Sequence, residues 1–264
     1  MIDLLTVHAR RWAVLALATL LATGALADEI HVASSGGFAA AYRALAPDFE
    51  ARTGHKLLAT WGPSMGETQG AIPKRLERGE PIDVVIMVGN ALDKLIAQGK
   101  VEDAGHRLLA NSKIGAVVRA GAPRPDVTTE AGLKQALLNA KSIAYSDSAS
   151  GEYLSKVLFV RLGLADQIKD KSRMIPATPV AEIVARGEAE LGFQQVSELL
   201  PIAGVDFVGE LPDAAQQLTP FSAGVVKTSP VHAAAQALID YLSSAEVAPV
   251  IRRTGLTPPN GSAH

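Results

Sequence analysis

Three short polar segments carry residue types that can bind or move charge: Ser34-Ser35-Gly36-Gly37, Pro63-Ser64-Met65-Gly66-Glu67, and Tyr145-Ser146-Asp147-Ser148-Ala149-Ser150-Gly151. Each follows a short apolar run and precedes a helical pattern. The first turn of a helix leaves backbone N–H groups unpaired and carries partial positive charge, so each junction is a ready anion site. Ser35, Ser64, Ser148 and Ser150 supply hydroxyl donors or cap the helices, and one position can serve both roles. Gly36, Gly37 and Gly66 let backbone approach a ligand, or only turn tightly. A carboxylate in such a place can serve as a general base. Asp147 and Glu67 are the two candidates, with Asp147 preferred because Tyr145 and several hydroxyls surround it. Each also has a plainer reading. Ser64-x-x-Glu67 matches a capping box, Asp147 suits a turn or N-cap, and Tyr145 suits the last core position of a strand.

Further along, Gln194-Gln195 ends an apolar run and can read a carboxylate. Arg119 and Arg173 end or precede strands and can pair with an anion, since guanidinium binds carboxylates bidentately. The histidines of the expected mature chain, His31, His55, His106, His232 and His264, form neither HxxxH nor HExxH spacing, and the chain has no cysteine. No metal site and no thiolate nucleophile is therefore expected.

The elements that must position these residues alternate strand and helix. Short strands are expected at 30–33, 56–61, 83–88 and 114–119. Between them lies a helix on Phe38, Tyr42, Leu45 and Phe49, stopped at Gly54 and kinked or divided by Pro47. A second helix is expected from Glu67 to Arg78 with Pro73 inside it, and a third over 91–98. A second series follows, with helices at 130–139, 152–162 and 180–186, the last opened by Thr178-Pro179, and strands at 142–145, near 174–175 and at 191–194. A long strand at 218–227 and helices at 231–242 and 247–253 close the chain. Two such series imply an α/β fold of two lobes with a ligand cleft between them, at strand C-termini and helix N-termini. The expected division is 28–111 plus 225–264 for lobe 1 and 112–224 for lobe 2, with hinges at 111–113 and 221–224.

The chain has 264 residues and a formal net charge of −2, with no basic run, so nucleic acid is not an expected partner. Arg10-Arg11, the apolar run from Trp12 to Leu21 and the small-x-small site Ala25-Leu26-Ala27 read as a cleavable signal peptide, residues 1–27. The apolar run is short for a membrane span. A mature protein from Asp28, in the periplasm and without a stable membrane anchor, is expected.

The export signal, the two α/β series and the loop order resemble the periplasmic solute-binding proteins of type II-like fold, in particular their molybdate-binding branch. Ser34-Ser35-Gly36-Gly37, Pro63-Ser64-Met65-Gly66, the run Asp83 to Gly89, Tyr145 to Gly151, Met174-Ile175-Pro176-Ala177 and Gly192-Phe193-Gln194-Gln195 further resemble the aconitate isomerases, periplasmic enzymes on that fold. Met65 and Ala177, within these motifs, join the candidate substrate contacts. Two positions depart from the molybdate pattern: Gly37 stands where that branch places a serine, and Gln195 where it places a tyrosine, while Ser64 is retained. The resemblance implies an isomerase that interconverts trans- and cis-aconitate by an allylic proton shift, on a small tricarboxylate substrate and with no cofactor. The alternative is a non-catalytic binding protein that delivers an organic polycarboxylate or oxyanion to an ABC permease.

Overall fold

A computed structural model describes residues 27–259. Apart from Ala27, the expected signal peptide lies outside the described residues. Two sheets organise the chain. The first contains β1 (Glu29–Ser34), β2 (Lys56–Trp61), β3 (Val84–Val88), β4 (Arg107–Ser112), β10 (Thr219–Val225) and β11 (Leu256–Thr257), in the order β11-β4-β10-β3-β1-β2. The second contains β5 (Ile114–Arg119), β6 (Ile143–Ser146), β7 (Ser172–Ile175), β8 (Leu191–Gln195) and β9 (Val205–Glu210), in the order β7-β6-β8-β5-β9. In each sheet three strands run parallel, β2-β1-β3 and β7-β6-β8, and the others are antiparallel to them or to one another.

The helices are α1 (Gly36–Thr53), α2 (Ile72–Glu77), α3 (Gly89–Ala97), α4 (Glu130–Asn139), α5 (Ala149–Tyr153), α6 (Phe159–Arg161), α7 (Ala165–Ile168), α8 (Val180–Ala185), α9 (Val196–Leu199), α10 (His232–Leu242) and α11 (Ala248–Arg253). They cover the sheets on both sides. Alternate residues of β3 divide between two cores. Val84, Ile86 and Val88 face Phe38, Tyr42 and Leu45 of α1 together with α10, whereas Val85 and Met87 face Leu92 and Leu95 of α3. That two-sided burial is why this strand reads as an unbroken apolar run. In the second sheet, Ile114, Ala116 and Val118 pack with Phe193 and α4, and Val117 packs with α8.

Several local expectations are corrected. Pro47 neither ends nor divides α1, which runs unbroken to an αL cap at Gly54, where φ is 79°. Pro73 is not inside a helix. Residues 62–71 form bends and turns, α2 begins only at Ile72, and Pro73 lies in its first turn, where its missing N–H costs nothing. The helix expected over 152–162 starts earlier and contains a π turn, Leu154–Leu158, between α5 and α6. Residues 219–224, expected in the second lobe, lie in the first sheet: β10 is paired on both sides, with β3 and β4. The chain therefore crosses between the sheets at 112–114 and again between Glu210 and Thr219, upstream of the hinge expected at 221–224.

Candidate functional site

Six strands, three from each parallel set, deliver their C-terminal ends to loops that carry the polar residues. In the first sheet β1 ends at Ser34, and Ser35 starts α1. The Ser35 N–H donates to the Ile86 carbonyl of β3 (2.8 Å), which ties this junction to the neighbouring strand. The Ser35 side chain does not cap α1. Its hydroxyl is buried, at 5% exposure, and has no partner. Ser64, in the loop after β2, accepts from the Val88 N–H at the end of β3 (2.9 Å), and its own hydroxyl proton remains available to a ligand. Met65 packs against the two cores of the first sheet. Gly66 turns the loop at φ 101°, a conformation that a side chain would strain.

In the second sheet β6 ends at Ser146, whose Oγ lies 2.8 Å from Ser148 Oγ and 3.0 Å from Ser150 Oγ. Three hydroxyls thus cluster at the start of α5, and Ser148 does not cap that helix with its side chain. Asp147, half-buried, accepts the Ala177 N–H on Oδ2 (3.1 Å). Ala177 follows β7 and has a positive φ of 56°, the only such non-glycine among the described residues. The hydrogen bond from its N–H to Asp147 helps offset the cost of that conformation. Gln194, next to last in β8, accepts the Val180 N–H on Oε1 (2.8 Å), so it does the capping of α8 that Thr178 was expected to do. Gln195 donates to Thr219 Oγ1 (2.9 Å), and its amide oxygen is buried without a partner.

The two sheets meet at this place. Ser197 of α9 donates to the Gly37 carbonyl of α1 (2.7 Å), a contact between residues 160 positions apart. A Cβ on Gly36 would clash with Glu198 Oε1, and one on Gly37 would clash with the ring of Phe221. Gly36 therefore makes room for a carboxylate from the other sheet, and Gly37 makes room for the core. Burial pushes the Glu198 carboxyl up to about 7; a hydrogen bond with Gln194 holds it back, and the charge of Asp147 raises it further. Glu198 and Ser197 were not picked out in the sequence, and Ser146 was named there only as part of its loop. The signal available was polar Ser197-Glu198 set between apolar Val196 and Leu199, directly after a strand end.

Other expected residues stand apart. The Glu67 side chain is 89% exposed and pairs with Lys74 (2.8 Å), and it caps no helix. Tyr145 packs edge-on against Phe159, with ring centroids 5.9 Å apart. Arg119 occupies the far end of β5. That strand runs antiparallel to β8, with Ile114 opposite Gln195, so Arg119 lies about 17 Å along the strand from the β8 C-terminus. Arg173 is opposite Ala144, two residues short of the strand end, and its guanidinium reaches back to Glu188. Among the described residues no group of three or more His, Asp or Glu side chains is placed to hold a metal ion, and no helix is long and apolar enough to cross a membrane.

The two parallel sets thus end in hydroxyls, amides and two carboxylates, and the sheets touch through Ser197 with Gly37 and Glu198 with Gly36. Known proteins resemble this chain. An aconitate isomerase from Pseudomonas sp is 49% identical over 93% of this chain and 94% of its own length. The molybdate-binding protein ModA of Azotobacter vinelandii is 29% identical over 90% of this chain and 93% of its own. The solved periplasmic molybdate-binding protein of Azotobacter vinelandii superposes with a TM-score of 0.70 at 21% identity, covering 88% of this chain and all of that one (100%). Residues 30–257 match the model of one family across both sheets, and the chain belongs to that family, the bacterial extracellular solute-binding proteins.

Proposed function

We propose that this protein is an isomerase that interconverts trans- and cis-aconitate, using the cleft between the two sheets as its active site. The observation that carries this reading is the 49% identity to an aconitate isomerase over nearly the whole of both chains, against 29% to a molybdate-binding relative of similar coverage. The donor set agrees with it. Gly37 and Gln195 remove two hydroxyls that the molybdate pattern would supply. The donors that remain, Ser35, Ser64 and the Ser146-Ser148-Ser150 cluster, are distributed over both sheets, which suits a planar tricarboxylate better than a compact tetrahedral oxyanion. In this reading Ser35, Gly36, Ser64 and Gly66 hold one end of the substrate and Ser148, Ser150, Ala177, Gln194 and Gln195 the other. The sheets are the two lobes, hinged at 112–114 and at 210–219. The mature protein starts near Asp28 and works in the periplasm.

The alternative, a binding protein that hands an organic anion to a permease, uses the same fold, so chemistry must separate the two. Purified protein mixed with trans-aconitate and followed by proton NMR should form cis-aconitate and approach a fixed ratio of the two from either side. Tight binding with no conversion would leave the receptor reading standing. Mass spectrometry of the exported protein should show a chain lacking the residues before Asp28.

A further inference from the structure

We propose that Glu198 is the general base of the isomerisation, taking a proton from the substrate CH2 and returning it to the former vinyl carbon; this rests on the aconitate reading above. A base for a carbon acid must sit where the reacting atoms can reach it and where its carboxylate is partly desolvated, and Glu198 is half-buried. Of the three carboxylates near the strand ends, Glu67 is at the surface and paired with Lys74. Asp147 is held within the second sheet, where one oxygen accepts the Ala177 N–H from the loop after β7. Glu198 stands between the lobes. It extends from α9 of the second sheet to the start of α1 in the first, where Gly36 lacks the Cβ that its Oε1 would strike. Ser197, its neighbour, anchors that crossing on the Gly37 carbonyl. Two buried polar atoms without partners, Ser35 Oγ and Gln195 Oε1, belong to the residue just before Gly36 and to the residue that ends β8 just before α9.

The step balances without any other reagent. As the Glu198 carboxylate forms an O–H bond, a C–H bond of the CH2 breaks and its electron pair spreads over the allylic carbons and the adjoining carboxylate. The bond from the central carbon to the CH2, held with its carboxylate on the side that the product requires, gains double-bond character and fixes the product geometry, while the bond to the former vinyl carbon becomes single. The proton then leaves Glu198 to form a C–H bond at that carbon, the double bond closes at the new position, and the carboxylate is restored. Hydroxyl and backbone donors at the helix starts take up the charge that grows on the carboxylate in between.

The environment of Glu198 fits the role. α9 packs against α1, α8, β5 and β8. α1 presents Gly36 and Gly37, and β8 presents Gln194, none of them ionisable. Glu182 of α8 is turned to Arg186, and Arg119 is at the distant end of β5. Asp147 is the one charge that acts on Glu198, and it raises the carboxyl that burial has already lifted to about 7. A base balanced near neutral pH is ionised often enough to act and basic enough to remove a proton.

The test uses the full mature chain, with E198Q and E198D compared with the unmutated protein by NMR turnover and by calorimetric titration of trans-aconitate. E198Q should lose about 100-fold or more in kcat, with Kd for trans-aconitate within about threefold, and E198D should recover part of the loss. The unmutated protein's kcat/KM should climb with pH through about 7, and E198Q should lack that limb. E198Q turning over within about fivefold of the unmutated protein overturns the assignment and leaves the aconitate reading intact. Should E198Q not fold, a kcat/KM of the unmutated protein that is flat across neutral pH overturns it equally. Unmutated protein that binds aconitate and never converts it overturns the aconitate reading itself, and the role of Glu198 with it.

Discussion

Ser35→Ala should move stability and affinity in opposite directions. In the free protein the Ser35 hydroxyl is buried, does not cap α1 and has no partner. A buried hydroxyl in that state costs about 1–3 kcal/mol, the desolvation that an unmade hydrogen bond fails to return. Alanine removes the group and opens only a small void, so Ser35→Ala should unfold at equal or higher denaturant concentration, with a gain of up to about 1 kcal/mol after the lost packing is counted. Binding should behave in the contrary way. A hydroxyl that donates to a substrate carboxylate contributes about 1.5–3 kcal/mol, so its loss should weaken the binding of aconitate by roughly 10- to 150-fold. Ser64→Ala is the control. Ser64 Oγ receives the Val88 N–H, and its removal leaves that buried donor unpaired, so this variant should lose about 1–3 kcal/mol of stability along with affinity. Urea unfolding monitored by circular dichroism and calorimetric titration give the two quantities. A Ser35→Ala protein that is less stable by more than about 1 kcal/mol, or that binds aconitate as tightly as before, would refute the reasoning.

E198Q should also report on stability. The Glu198 carboxyl is raised in the fold, so the folded state holds its proton to higher pH than the unfolded chain does. Its favourable contribution is complete below the unfolded value near 4.5 and is lost as pH rises through about 7. Above neutral pH E198Q should be the more stable protein, by of order 3 kcal/mol, and the two should converge in acid; parallel stability curves across pH would contradict this. Gln194→Ala strips the cap from α8 and leaves the Val180 N–H unpaired, at a cost of about 1–3 kcal/mol. It also removes the bond that holds Glu198 down, so the rising limb of its pH–rate profile should shift to more alkaline pH. Gly37→Ala drives a methyl into the buried ring of Phe221 and should lower Tm by about 2–12 °C. An unchanged melting curve would mean that the ring swings aside.

The loops were legible because their cause is local: an apolar run, a serine or glycine, then a helical period. That logic marks the ends of β1 and β6. It misleads after β2, where Glu67 and Thr68 look helical, yet Gly66 and Gly70 bracket them and the helix waits until Pro73 can occupy its first turn. Arg119 was misplaced for a different reason. Alternating strands and helices suggest parallel strands, in which Arg119 at a strand end would face the ligand. Strand β5 runs antiparallel to β8, because the chain enters the second sheet directly from β4 without a helix between, and this sends Arg119 to the opposite edge. Strand direction is a property of pairing, and no residue near Arg119 encodes it. Glu198 escaped notice because its helix has four residues, Val196–Leu199, too few for any period to register.

The misplaced arginines bear on how the site works. A tricarboxylate carries up to three negative charges, and a receptor built for affinity gains by setting a guanidinium against them. Here Arg173 pairs with Glu188 and Arg119 lies at the far end of β5, while the carboxylates of Asp147 and Glu198 stand close enough for the charge of one to act on the other. Ionised together, they would repel the ligand that the helix ends and hydroxyls attract. A Glu198 that titrates near neutral pH resolves the conflict. In its protonated form it lowers the repulsion and offers a hydrogen bond to an arriving carboxylate, and in its ionised form it can take a proton from carbon. A base inside the cleft has no value for a protein that must only hold its ligand. It is the arrangement that turnover calls for, because binding energy that tightened the ground state as much as the transition state would not speed the reaction.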